Sequence, residues 1–395
     1  MKRRRVLQAV VAAAGAPSLG GASSAGEGGA QGAVYARLGV KPVINGMGTV
    51  TILGGSLMPP EVVRAMEEAS RQFVHVPDLQ QKAGARIAEL VGVPAAMVTA
   101  GAASAITVAT AAAMTRGDAK KIAQLPDPTG LPFEVIQQTS HRSGYEAQIL
   151  LTGAKVVAVE TREELDRAIG ERTAMMFFLN WAEPKGRIKR DEWVRVARER
   201  GIVSFNDAAA DVPPREHLSQ YVREGFDLVA FSGGKGLRGP QCSGLLLGRK
   251  DLVDGARTLV APHGGIGRAM KVGKEEIVGL VAAVERYMTV DLEAERRALE
   301  AKVDHLKDVV GKVKGVAVDT HVPEIANHVP HFVATWDEGA RGLTAKQVHE
   351  RLQAGDPPIH VLLTGPGKLT VSVLTMQGDE HRVVARRLAD ILAAA

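Results

Sequence analysis

Along most of the chain, short apolar runs alternate with longer stretches in which apolar residues recur every three or four positions. The runs are Val135-Ile136, Val156 to Val159, Met175 to Leu179, Ile202 to Phe205, Leu228 to Phe231 and Leu245 to Leu247. Between them, Arg162 to Ile169 and Asp191 to Arg200 carry helical spacing. Runs without polar alternation predict strands buried on both faces, and the helices between them predict crossovers. Together they predict a mostly parallel sheet sandwiched by helices. Upstream, Pro59-Pro60-Glu61 opens a helix with Val63, Met66 and Ala69 in step, and a second amphipathic stretch covers Gln80 to Val91.

After Pro262 the pattern changes. Leu292, Leu299, Val303, Leu306, Val310 and Val313 predict one long helix. Apolar runs at His331 to Thr335, His360 to Leu363 and Leu369 to Leu374 follow, then a closing helix from Asp379 to Leu392. The expectation is an α/β protein with an N-terminal extended segment over 26–48, a large domain over 49–262 and a smaller C-terminal α+β domain over 263–395.

Residues 1–25 lie outside this pattern. They read as an address: Arg3-Arg4-Arg5-Val6-Leu7-Gln8 before an Ala/Val-rich stretch, with Ser23 and Ala25 placed as in a cleavage site. This resembles a twin-arginine export signal and implies a periplasmic product; a Sec-type signal, a membrane anchor or a plain basic tail is the alternative. The same segment changes the meaning of the charge. The net charge of +5 suggests a nucleic-acid partner, but four of those charges are Lys2, Arg3, Arg4 and Arg5. The remainder is nearly neutral, so no nucleic-acid partner is expected. With 45% hydrophobic and 24% charged residues over 395 positions, the chain is neither disordered nor polytopic. A single cysteine, Cys242, excludes an intramolecular disulfide and a cysteine-based metal cluster. No metal is expected.

Candidate chemistry sits where apolar runs end. Gly101, Ala102, Ala103 and Ser104 open an Ala-rich helix, where small residues let backbone N–H groups approach a phosphate; tight helix packing is the alternative. His141 follows a strand, placed to stack on something flat or simply to sit in a loop. Asp207 ends an apolar run, at the strand tip where α/β proteins bind ligands, or else caps a helix. Finally, Ser232-Gly233-Gly234-Lys235-Gly236 follows a buried run, its glycines suggesting close passage of backbone past a flat or charged group. Arg268, Lys271 and Lys274 form a basic run at a helix start.

In this order and spacing the stretches resemble pyridoxal 5′-phosphate (PLP)-dependent enzymes of the aspartate-aminotransferase fold, the PLP-dependent transferase fold type I. Lys41-Pro42-Val43-Ile44-Asn45, Gly54-Gly55-Ser56-Leu57-Met58-Pro59-Pro60, Phe231 through Gln241 and Gly355-Asp356-Pro357-Pro358 are more closely similar to the selenocysteine synthase-like branch, which includes D-glucosaminate-6-phosphate ammonia-lyase-like proteins. The resemblance spans roughly residue 35 to the C-terminus. It implies that Lys235 forms a Schiff base with PLP and serves as general base, and that Asp207 pairs with the pyridine nitrogen. It also implies that Gly101, Ala102, Ala103, Ser104 and Ser232 hold the phosphate and that His141 covers the ring face. Arg268, with Lys271 and Lys274, would contact the phosphate or an anionic substrate, across the interface of a homodimer or larger assembly. Leu369 to Thr375 lacks the arginine with which many transaminases of the fold clamp a carboxylate. No added basic module that would hold tRNA is seen. The expected activity is a lyase on a small hydroxylated amino acid or amino-sugar acid. A racemase or epimerase, a selenocysteine synthase-like transferase and a non-catalytic binding protein are the alternatives.

Overall fold

The computed structural model describes residues 33–394, so the export segment expected over residues 1–25 lies outside the described residues. The chain divides into two units, Met1–Pro42 and Val43–Ala395. Of the first unit, a short helix, Ala33–Ala36, is described. Everything below concerns the second.

Among the described residues twelve strands follow in chain order: β1 Ile44–Gly46, β2 Ala95–Thr99, β3 Glu134–Gln138, β4 Lys155–Val159, β5 Thr173–Leu179, β6 Val203–Asp207, β7 Leu228–Ser232, β8 Gly244–Gly248, β9 Val316–His321, β10 His331–Trp336, β11 Ile359–Gly365 and β12 Lys368–Ser372. They form a seven-stranded sheet in the order β2-β8-β7-β6-β5-β3-β4 and a five-stranded sheet in the order β1-β11-β12-β10-β9. In the larger sheet β7, β6, β5, β3 and β4 are parallel, whereas β8 runs antiparallel to both neighbours. The mostly parallel, helix-covered sheet predicted from the apolar runs is therefore present.

Alternation within the strands explains why both faces need helices. Met176 and Phe178 of β5 pack into one apolar cluster with Trp193 and Val196 of the helix Arg190–Arg200 and Leu280 and Val284 of the helix Lys274–Thr289. Met175, Phe177 and Leu179, the intervening residues, pack into a second cluster with the helix Ala102–Thr115. That helix is buried almost all round, which its run of alanines permits and a larger side chain would not.

The five-stranded sheet gathers its own cluster, with Phe332, Trp336 and Val371 against Leu306 of the helix Leu292–Val310 and Leu388 of the helix Glu380–Ala393. Two of its strands were not apparent from the apolar pattern. β9 alternates half-buried with exposed positions and so has no apolar run. β1 falls within the extended segment expected over 26–48, and pairs in parallel with β11, Ile44 opposite Ile359.

Candidate active site

Asp207 is the last residue of β6. Val203 and Phe205 face the helix Ala102–Thr115, and the two-residue period of a strand carries Asp207 to that same face. The side chain is 5% exposed. Its Oδ1 accepts the Ala209 N–H at 3.1 Å, and among the described residues nothing donates to Oδ2. Burial pushes its pKa up to about 6, against the Ala209 bond and the charge of Lys235, which pull it down.

Lys235 lies in the turn after β7, the next strand. Burial lowers its pKa, while the carboxylates of Asp207 and Asp211 act the other way. Among the described residues its ammonium enters no ion pair. An amine and a carboxylate thus share one field without touching, each desolvated and each short of a partner. A coenzyme with an aldehyde at one edge and a basic ring nitrogen at the other supplies both partners at once, so the donor set fits PLP.

The phosphate end fits as well. Gly101 caps the helix Ala102–Thr115 at φ +113, a conformation open to glycine, and no side chain caps the first N–H groups. The Ser104 hydroxyl turns back to the Gly101 carbonyl at 3.0 Å, leaving the N–H groups of Ala102, Ala103 and Ser104 directed outward with the positive end of the helix dipole. Ser232 continues the alternation of Leu228 and Ala230 onto this face. Gly101 to Ser104, Asp207, Ser232 and Lys235 are therefore brought together at one edge of the sheet.

Three expectations are corrected. His141 is wholly buried: its ring stands edge-on to Phe178 at 4.5 Å, and Nδ1 accepts the Leu179 N–H at 3.2 Å. It does not present a face to open space, so this arrangement does not place it over a coenzyme ring. It braces the end of β5, where Leu179 is the register partner of Asp207. Burial drops its pKa to about 4, so the imidazole is neutral. Second, Lys274 is already engaged, donating to the Ala69 carbonyl at 2.6 Å and pairing with Glu275, whereas Arg268 and Lys271 are exposed. Third, the glycines around Lys235 make room for the protein itself. A Cβ at Gly236 would lie 1.9 Å from the Val212 carbonyl oxygen, and one at Gly234 would lie 2.3 Å from Gln241 Oε1.

A second carboxylate was missed. Asp211 is 2% exposed and accepts from Asn180 Nδ2 at 2.6 Å and from the Tyr221 hydroxyl at 3.1 Å. Burial lifts its pKa to about 6 despite those bonds and the nearby charges of Arg190 and Lys235. The sequence signal was its place four residues after Asp207, on the same strand-end loop. A cavity of about 630 Å³ opens nearby, lined among others by Gly236, Arg238, Lys302, Leu374 and Gln377. A smaller void lined by Lys235 shares Gly236, Arg238, Leu374 and Gln377 with it.

These elements define the PLP-dependent transferase class of fold type I. Residues 163–321 match the family model for L-seryl-tRNA selenium transferase. D-glucosaminate-6-phosphate ammonia lyase of Salmonella typhimurium is 31% identical, the match covering 91% of this chain and 97% of that protein. A 5'-C-glycyluridine monooxygenase-decarboxylase of a Streptomyces species is 32% identical over 91% of this chain and 92% of its own length. The solved structure of D-glucosaminate-6-phosphate ammonia-lyase superposes with a TM-score of 0.80 at 31% identity, covering 92% of this chain and 98% of that one. The chain belongs to the D-glucosaminate-6-phosphate ammonia-lyase family, in the selenium transferase-like branch, and is a PLP-dependent enzyme.

Proposed function

We propose that this enzyme is a lyase that removes the β-hydroxyl and the amino group from a small hydroxylated amino acid or amino-sugar acid. The observation that carries the reading is the buried Asp207 and half-buried Lys235, without an ion pair among the described residues, at neighbouring strand ends, in a chain that aligns with an ammonia lyase over nearly its whole length. Bound PLP supplies an electron sink for the pair left when a proton leaves Cα. Lys235 Nζ would hold the coenzyme aldehyde at rest, and its free amine would take the Cα proton of the substrate. Asp207 keeps the proton on the ring nitrogen, and its low-dielectric setting makes that charge count. The N–H groups of Ala102, Ala103 and Ser104, with the Ser232 hydroxyl, would hold the phosphate. His141 acts as a positioning residue behind Asp207. The Cβ–O bond breaks, and the hydroxide departs as water with the proton carried by Lys235. The enamine released takes up one water, so the net products are a keto acid and ammonia.

The test is a screen of D- and L-hydroxy amino acids and amino-sugar acids with purified holoenzyme. Ammonia and keto acid in equal amounts, without oxygen uptake, are expected, together with borohydride fixation of the coenzyme to Lys235. The equal similarity to the Streptomyces enzyme supports a second reading, an oxygen-consuming decarboxylation. Oxygen uptake with carbon dioxide release and no ammonia would decide for it.

The assembly proposed is a homodimer or larger. Its support is the exposure of large apolar side chains, Ile52 and Leu57 in the segment before the helix Pro60–Ser70 and Phe73 just after it, with Leu57 also lining the void beside Lys235. Export through the twin-arginine route is proposed from residues 1–25. Cell fractionation should find the protein in the periplasm, starting after Ala25; an intact chain confined to the cytoplasm refutes this.

A further inference from the structure

Arg238 is held in an unusual way. Its backbone takes the left-handed conformation, φ +56, which disfavours any side chain with a Cβ. Glycine would serve there, and glycines stand on either side of the turn at Gly236 and Gly239. The Arg238 N–H donates to the Lys235 carbonyl at 2.9 Å, so both side chains leave one tight turn, and both line the same small void. Nε donates to the Leu57 carbonyl at 3.1 Å, which fixes the guanidinium plane and leaves its two terminal nitrogens for something else.

Among the described residues nothing uses them. Among the described residues Arg238 forms no ion pair. Arg286, beside it, has already taken the nearby acids, Glu61 at 3.0 Å and Glu295 at 2.6 Å. A second cation, Lys302, feels the charge of Arg238 and lines the same large cavity; it donates to the Met376 carbonyl at 2.7 Å. Burial and the field of Arg286 lower the pKa of Arg238, against the fields of Glu295 and Glu61, which raise it but which Arg286 holds in ion pairs. The opposite wall of the void is Leu374, Thr375 and Gln377, with no charge. The arginine that serves as carboxylate clamp in many transaminases is absent from that wall.

We infer that Arg238 receives the substrate's carboxylate, its terminal nitrogens gripping both oxygens while Lys235 works at the adjacent carbon. Specificity for a free carboxylate thus comes from the lysine-bearing turn rather than from the C-terminal strand. A planar two-oxygen anion matches the paired N–H groups of a guanidinium, which a lysine cannot reproduce. The assignment rests on reading the site as one for amino acids, and does not depend on whether the reaction is an elimination.

The experiment titrates holoenzyme with D- and L-serine and with D- and L-serinamide, following the visible absorbance of the coenzyme. Wild type should half-saturate with the preferred serine at a concentration about 30-fold below that for its amide. Arg238→Gly suits the left-handed backbone, so it should load coenzyme and melt no lower than wild type. It should weaken serine about 50-fold and serinamide by less than about threefold. Arg238→Lys should fall between. Serine binding unchanged in Arg238→Gly, equal weakening of serine and amide, or a wild type that does not distinguish the two overturns the assignment. A carboxylate preference that depends on Arg238, in an enzyme that releases no ammonia from any substrate, supports it while refuting the lyase reading.

Discussion

β5 and β9 show how differently the two sheets are made. β5 reads Thr-Ala-Met-Met-Phe-Phe-Leu and is buried on both faces along its length. β9 reads Val-Ala-Val-Asp-Thr-His and leaves every second residue exposed. Helices close both sides of the larger sheet, and Asp207, Ser232 and Lys235 stand where its parallel strands end. The smaller sheet's side of the cavity is built from Leu374, Thr375 and Gln377 instead. The shifted proton affinities follow from this division. Asp207 is raised and Lys235 lowered because burial at and just beyond the strand ends disfavours the charged form of each. The larger sheet supplies charges whose energies burial has changed, and the smaller one supplies shape.

Lys235→Ala is the severest challenge to that division. Turnover should fall by at least about 1,000-fold, and borohydride should no longer fix coenzyme to the chain. Peptide mapping checks the second point, and a variant still labelled in the same peptide would break the assignment. A paired truncation separates the sheets. Phe205→Ala and Phe332→Ala, both of fully buried rings, should each cost about 3–4 kcal/mol of folding free energy. Denaturant melts measure that cost, and coenzyme retention below the transition should suffer only in Phe205→Ala, whose ring belongs to the strand that ends in Asp207.

Asp207→Asn should lower kcat about 100-fold or more while coenzyme still binds, since a preorganised charge is lost but the shape is kept. The same substitution has an opposite effect on stability without coenzyme. The folded pKa of Asp207, about 6, lies above the ordinary carboxylate value of 3.8, so the folded chain binds this proton more tightly than the unfolded one. Its contribution is fully present below about pH 4 and is lost as pH rises through 6. Coenzyme-free Asp207→Asn should therefore match wild type near pH 4 and exceed it by about 2 kcal/mol at pH 8. Equal melts at both pH values would show that the carboxylate is not desolvated. The smallest effect is expected of His141→Asn. With the ring inside and bonded to Leu179, kcat should drop less than about tenfold with the coenzyme spectrum unchanged. A larger loss with an altered spectrum would return His141 to the ring face.

Legibility in the sequence followed locality. The helix opened by Ala102 was readable from its alanines, which serve both a phosphate-facing start and the tight packing it has here, and Asp207 and Lys235 because each stands at or just past the end of an apolar run. Asp211 was not, since an acidic residue in a loop looks the same whether solvated or, as here, held by Asn180 and Tyr221. β9 was hidden by its alternation and β2, Ala95–Thr99, by alanines that suit a helix equally well.

The order of elements, the mostly parallel sheet, the placing of an acid and a lysine at strand ends and the PLP class were all determined by the sequence alone. These depend on residue period and on motif, which are local. Only the tertiary structure decided that β1 joins β11, that the glycines beside Lys235 meet Val212 and Gln241, that His141 turns inward, and that Arg238 lies near Lys302 while Arg286 takes the acids around it. Each of those depends on which distant segment arrives next to a residue and whether water is left between them. A residue's own neighbours in the chain do not specify either.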